Sequence, residues 1–145
     1  MAKIFTAVAP DTEARVRKIL SGHDLLFVRD IAAAKAALDD TIKLIFVGAR
    51  FDESRMFDLL DYIRRDVVHR KIPIVAAIVT PTQMSEATVQ GLAHTTKIFG
   101  ASVFVNFNDF SDDEIENRRI RLIVDALLLP PQVVRVVAEK LIPKT

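Results

Sequence analysis

Residues 42–66 read IKLIFVGARFDESRMFDLLDYIRRD, and this stretch decides the fold. Ile42 to Val47 is a near-continuous apolar run, the length of a strand covered on both faces. Gly48-Ala49-Arg50 closes it. Met56, Leu60, Ile63 and Val67 then recur at i, i+4, i+7 and i+11, one face of a helix, and Phe57 widens that face. A buried strand followed by an amphipathic helix is the repeating half of a parallel α/β sheet.

The same alternation runs outward in both directions. Toward the N-terminus, Ile4 to Ala9 and Leu25 to Val28 read as strands, and Glu13 to Leu20 and Ile31 to Leu38 as helices, with Pro10-Asp11-Thr12 supplying turn chemistry. Toward the C-terminus, Ile74 to Val79 and Val103 to Val105 read as strands. Glu86 to Phe99 is a helix ended by Gly100. Ser111-Asp112-Asp113-Glu114 reads as a capping box, with Ser111 at the N-cap and Glu114 three residues on. The helix it opens carries Ile120, Ile123 and Leu127 on one face and ends before Pro130-Pro131. Five strands alternating with five helices predict a three-layer α/β/α sandwich around a doubly wound parallel sheet of order 2-1-3-4-5. Residues 1–129 make the domain. Residues 130–145 are read as an extension in which Val133, Val137 and Leu141 stand at i, i+4 and i+8 and Val134 and Val136 broaden the face, so a short sixth helix is expected from Gln132 to Ile142.

Composition narrows the function. The chain has 145 residues, half of them hydrophobic, enough for one domain with a core of its own. It has no cysteine, which excludes a disulfide framework and thiolate metal sites and fits a reducing compartment. Twenty basic residues balance nineteen acidic ones, which gives no reason to expect nucleic acid or an anionic membrane as partner. No apolar run is long enough to span a bilayer, and the N-terminus lacks a secretory h-region, so a cytoplasmic protein is expected.

In such a fold the ligand site lies at the carboxyl ends of the strands. Several features around those ends resemble the CheY-like receiver domains of bacterial response regulators: Pro10-Asp11-Thr12 opening the first helix, the gap-free match of residues 42–66, Ile72-Pro73-Ile74-Val75 leading into the fourth strand, and Gly100-Ala101 before the fifth. The likeness covers roughly residues 3–129. It implies a flavodoxin/CheY-like fold and, in functional members, phosphoryl transfer to an aspartate. That chemistry needs an acid pair for Mg²⁺ after the first strand. It also needs an Asp nucleophile ending the third strand, a Thr or Ser after the fourth and a Lys after the fifth. Here the acid-pair position falls on Ala7-Val8 or Val8-Ala9, the nucleophile on Gly48, and the hydroxyl on Ile78, with Thr80 two residues on. The lysine position falls on Phe107, or on Asn106 in a register one residue shorter. Phe104 stands where the family often has a switch aromatic. The resemblance therefore implies a pseudo-receiver: no catalytic set, no metal, no cofactor and no small-molecule substrate.

Other residues have plainer readings. Asp11 is read as an N-cap or first-turn acid of the first helix, and Asp52 and Glu53 as solvated loop acids. Gly48 is read as a tight-turn residue with positive φ. His23, His69 and His94 are read as solvent-facing or locally hydrogen-bonded histidines. Arg15, Arg17 and Lys18, like Arg64-Arg65 and Arg118-Arg119-Arg121, are read as solvated basic faces, and Phe107, Phe110 and Leu127 to Leu129 as packing residues. The expected function is protein contact, with a partner or a second copy; Val133, Val134, Val137 and Leu141 either cover the domain's own surface or form that interface. An atypical regulator using Asp52 or Asp11 is an alternative. A flavodoxin-like cofactor carrier is another, weakened because Gly22, Gly48, Gly91 and Gly100 are scattered instead of clustered around a phosphate loop.

Overall fold

In the computed structural model, which describes residues 2–66 and 69–129, the apolar runs pair into one five-stranded sheet. The strands are β1 (Lys3–Ala7), β2 (Asp24–Val28), β3 (Leu44–Gly48), β4 (Ile74–Ile78) and β5 (Val103–Asn106). All pairings are parallel and the order is β2-β1-β3-β4-β5, as the sequence predicts. The helices are α1 (Glu13–Ile19), α2 (Ile31–Ala37), α3 (Met56–Arg65), α4 (Glu86–Ile98) and α5 (Glu114–Ala126), with 3-10 turns at Pro10–Thr12 and Phe107–Asp109.

Side-chain alternation along the strands divides the core in two. Ile4, Val8, Leu44, Phe46, Val75 and Ala77 meet Val16, Ile19, Ile120, Ile123 and Val124 of α1 and α5. Phe5, Ala7, Ile45, Val47, Ile74 and Ala76 meet Ile31, Ala34, Met56, Leu59, Leu60 and Ile63 of α2 and α3. Each large side chain taken fully out of water contributes about 1.5–3 kcal/mol, so the two layers fix the sheet between them. Helix α4 is held more loosely: its only fully buried residue is Thr96, with Leu92 and Phe99 partly covered.

Several ends differ from the sequence reading for local reasons. Strand β1 stops at Ala7, because Pro10 already sits in the 3-10 turn that leads into α1. The cap of α5 is Asp113, not Ser111: Asp113 Oδ1 accepts from the Glu116 N–H at 2.9 Å. The Ser111 carbonyl is held from another direction by Arg15 Nη2 at 3.3 Å, and Asp112 is drawn to Lys18 and Asn117. Helix α4 ends as read, with Phe99 at its C-cap and Gly100 at φ +99°. Val67 of the α3 stripe, Pro130-Pro131 and the expected sixth helix with Val133, Val134, Val137 and Leu141 lie outside the described residues.

Candidate functional site

The crevice at the strand tips is apolar and nearly full. Ala9, Thr12, Gly48, Ala49, Arg50, Ile78, Val79, Thr80, Thr82 and Met84 enclose about 10 Å³, which is room for about one water. Gly48 is buried in the last pair of β3, opposite Ala77. Its backbone is extended: the glycines with positive φ among the described residues are Gly22 and Gly100, so Gly48 is not the left-handed turn residue expected from sequence. A Cβ built on Gly48 would lie 3.4 Å from Val8 Cγ1. Val8 thus flanks Gly48 at van der Waals distance, leaving room for a Cβ there and little beyond it.

The neighbouring tips are equally neutral. Ala7 pairs with Val28 and Val47, and Ala9 is half-buried at the crevice wall. Ile78 is buried and stands directly across from Asn106. Asn106 ends β5, and its side-chain oxygen accepts from the Asn108 N–H and Nδ2, both at 3.0 Å. Asn108 in turn donates to the Thr80 carbonyl and accepts from the Thr82 N–H. A closed amide network therefore joins the β5 tip to the connector after β4. Phe107 follows in the 3-10 turn, fully buried against Phe46 with ring centroids 5.9 Å apart. Phe104 is half-buried opposite Ala76, on the layer shared with α3.

Three basic residues that sequence reasoning placed in solvent are built into the structure. The Arg15 side chain is only 16% exposed. Its guanidinium lies 5.0 Å from the Phe107 ring centre and donates to the Phe110 carbonyl at 3.0 Å, fastening the β5–α5 connection to α1. Arg64 donates to the carbonyls of Gly100, Ile72 and Arg70, and its burial lowers its pKa from the usual guanidinium value. Arg121 donates to the carbonyls of Ile19 and Lys18, which α1 leaves unpaired at its C-terminus. Arg17 stacks over Phe27 at 4.2 Å and Lys18 pairs with Asp112 at 3.0 Å. Arg65, Arg118 and Arg119 form ordinary surface pairs.

Asp52 also departs from its reading as a solvated acid. Asp52, Glu53 and Ser54 have φ of 45°, 55° and 70°, a left-handed turn that points the Asp52 carboxylate at α2. Its Oδ2 accepts from the Ile31 N–H at 2.9 Å, while Asp30 caps the same helix through Ala33. Asp11 is exposed in the 3-10 turn and shares an open basin of about 410 Å³ with Arg29, Arg50, Asp52 and Glu53. His23 bridges Asp125 at 2.8 Å and the Ala2 N–H, and His69 meets Asp66 at 2.9 Å. His94 is exposed.

The divalent cation that receiver chemistry requires does not fit these residues. A hard cation needs several oxygen ligands at one point. The positions around Gly48 supply alanine, valine and isoleucine, and among the described residues no group of three His, Asp or Glu side chains is placed to hold a metal. Asp52 Oδ2 is already engaged by the backbone of α2.

The fold is shared with solved receiver structures. A response regulator from Hahella chejuensis superposes with a TM-score of 0.66 at 17% identity, over 90% of this chain and 97% of that one. A signal receiver domain of a two-component histidine kinase from Clostridium thermocellum gives 0.63 at 17% identity, over 89% and 98%. The Mn²⁺-bound form of response regulator Rcp1 gives 0.58 at 15% identity, over 100% and 98%. At these identities the likeness establishes a common fold. No protein-family profile matches the sequence, and no curated protein does.

Proposed function

We propose, from the receiver fold and the neutral strand tips together, that this chain is a pseudo-receiver: a module of two-component-type signalling that works by protein contact, without phosphorylation and without catalysing a reaction. The observation that carries the reading is the narrow, carboxylate-free crevice at Gly48, which Ile78 lines and Val8 borders and whose space of about 10 Å³ is too small for an acyl phosphate and its cation. An acyl phosphate forms only on a carboxylate; none lines the crevice, and the loop carboxylate of Asp52 accepts from the backbone of α2 instead. The β5–α5 connection is held by Arg15 and by the Asn106–Asn108 network, which favours a single standing conformation over a phosphate-driven switch.

On this reading the surface acts, and the partner is a protein or a second copy of the chain. The formal charge of +1 gives little long-range repulsion between copies, and Ile98, Ile115, Leu122 and Leu129 are large apolar residues left in solvent. Solution mass measured by light scattering, with and without a small phosphodonor plus Mg²⁺, tests the claim. The mass is expected to be identical in both. A phosphodonor-dependent change in association would overturn it.

A further inference from the structure

We propose that the trough between α4 and the loop joining β3 to α3 is a docking site for a short acidic, apolar segment of a protein partner, with Arg50 receiving its carboxylate. This rests on the reading of the chain as a protein-contact module, and it names the surface used and the chemistry of what binds there.

Helix α4 is tied to the domain through its C-terminal half. Thr96 is its one buried residue, and Phe99 beyond it packs on Phe57 of α3 with ring centroids 5.2 Å apart. Toward the N-terminus of α4 a trough of about 440 Å³ separates it from the loop. That volume falls in the range of ligand sites, roughly 300–1,000 Å³. Met56, Phe57, Met84 and Leu92 give it an apolar lining.

The polar groups of the trough select the chemistry of the occupant. Thr88 and Thr95 line it too, but their hydroxyls are engaged within α4 and its cap. Thr88 Oγ1 meets Ser85 Oγ at 2.8 Å, and Thr95 Oγ1 donates to the Gly91 carbonyl at 2.8 Å. On the loop wall, the side chains of Arg50 and Ser54 make no hydrogen bond or ion pair with any described residue. Among the described residues Arg50 is the one charged group lining the trough. The acids Asp11, Asp52 and Glu53 line the neighbouring basin, which Arg50 also borders. A lone guanidinium beside apolar surface is complemented by a carboxylate next to large apolar side chains.

The openness of the trough favours a protein segment over a small molecule. A small-molecule site encloses about 70–90% of its ligand. Here Arg50, Ser54, Thr88 and Gly91 are exposed and Met56 alone of the lining is buried, so the trough lies open along about two turns of α4, from Thr88 to Thr95. Gly91 adds an independent mark. Glycine weakens a helix interior relative to alanine. A Cβ at Gly91 would meet nothing within 4 Å, so the fold has room for a side chain that the sequence omits. An occupant whose backbone comes close to α4 uses that omission.

The test selects a library of short random peptides on the immobilised full chain, then titrates the most enriched peptide by fluorescence anisotropy. Enriched sequences are expected to join an aspartate or glutamate to leucine, methionine or phenylalanine. Gly91→Glu, which fills the trough and opposes the peptide's acid, is expected to weaken binding at least tenfold, and so is Arg50→Glu. Both variants are expected to keep the parent's urea midpoint, because neither position carries a side-chain contact of the described fold. A peptide with its acid replaced by lysine is expected to bind Arg50→Glu more tightly than it binds the parent. No enriched peptide, enriched peptides without an acid, or an affinity within twofold of the parent in either variant would overturn the proposal. Light scattering covers the other occupant: a parent dimer that Gly91→Glu dissolves would assign the trough to a second copy and overturn it as well. Phosphodonor labelling bears on the crevice alone, so failure of the pseudo-receiver reading and failure of this docking are separately visible.

Discussion

Replacing Gly48 by aspartate would supply the carboxylate nucleophile that receiver chemistry needs, and the crevice is predicted to reject it. The new carboxyl would lie beside Val8 Cγ1 and Ile78 in a space of about 10 Å³, too small to bring hydration with it. Burial without a partner raises a carboxyl pKa by roughly 3–5 units, so the folded form keeps a proton that the unfolded chain releases above about 3.9. Destabilisation therefore grows with pH, by about 1.4 kcal/mol per unit, and reaches a ceiling of about 4 kcal/mol at pH 7. At pH 5 the same argument leaves about 1.5 kcal/mol. Arg50, at the crevice wall, can offset part of this by pairing with the carboxylate, so about 2–4 kcal/mol is expected at pH 7. Gly48→Ala is the steric control. Its Cβ meets Val8 at an ordinary distance on an extended backbone, so it is expected within about 1 kcal/mol of the parent. Urea denaturation of the three proteins at pH 5 and pH 7 reads these differences directly. If Gly48→Asp matches Gly48→Ala at pH 7, with no pH dependence between them, the crevice is wet and the vacancy argument is wrong.

Two further perturbations test other parts of the account. Gly100→Ala puts a methyl 2.7 Å from Arg64 Cγ at a backbone φ of +99°, so Arg64 must leave the carbonyls of Gly100, Ile72 and Arg70. A loss of about 2–4 kcal/mol in urea stability is expected, and a loss under about 0.5 kcal/mol would show that Arg64 holds nothing. The Asp112 carboxyl is held below the usual aspartate range, first by the Asn117 side chain and then by Lys18. A lowered folded-state value gives stability that is present above the unfolded value and lost as pH falls toward the folded one. Asp112→Asn is therefore expected to narrow the acid-side loss below about pH 4, by under about 1 kcal/mol because the group is exposed. Identical acid limbs in parent and variant would contradict the ion-pair assignment.

How much of this was legible depended on the range of each interaction. The order of elements followed from local periods: alternation along Leu44 to Val47 and the helical spacing of Met56, Leu60 and Ile63, both of which point inward as read. The vacancy was legible because it needs only the identity of single residues. Its narrowness was not, since that depends on Val8, in the turn after β1, standing against Gly48 at the end of β3. Arg15 could not be told from Arg17 and Lys18 by pattern, because its partners at Phe107, Phe110 and Ser111 lie more than ninety residues away. Arg64 differs from Arg65 only by which side of α3 meets the Gly100 turn. The left-handed run at Asp52, Glu53 and Ser54 contains no glycine to announce it, so the redirection of Asp52 onto α2 left no trace in the sequence. At Ser111-Asp112-Asp113 three good capping residues stand together, and tertiary demands on the first two leave the third at the cap.

The neutrality of the strand tips is tested most directly by intact-mass spectrometry of the purified full chain after incubation with a small phosphodonor and Mg²⁺. The account predicts a single species at the unmodified mass. A stoichiometric phosphoryl adduct that hydrolyses as an acyl phosphate would contradict it, wherever on the chain the adduct sits.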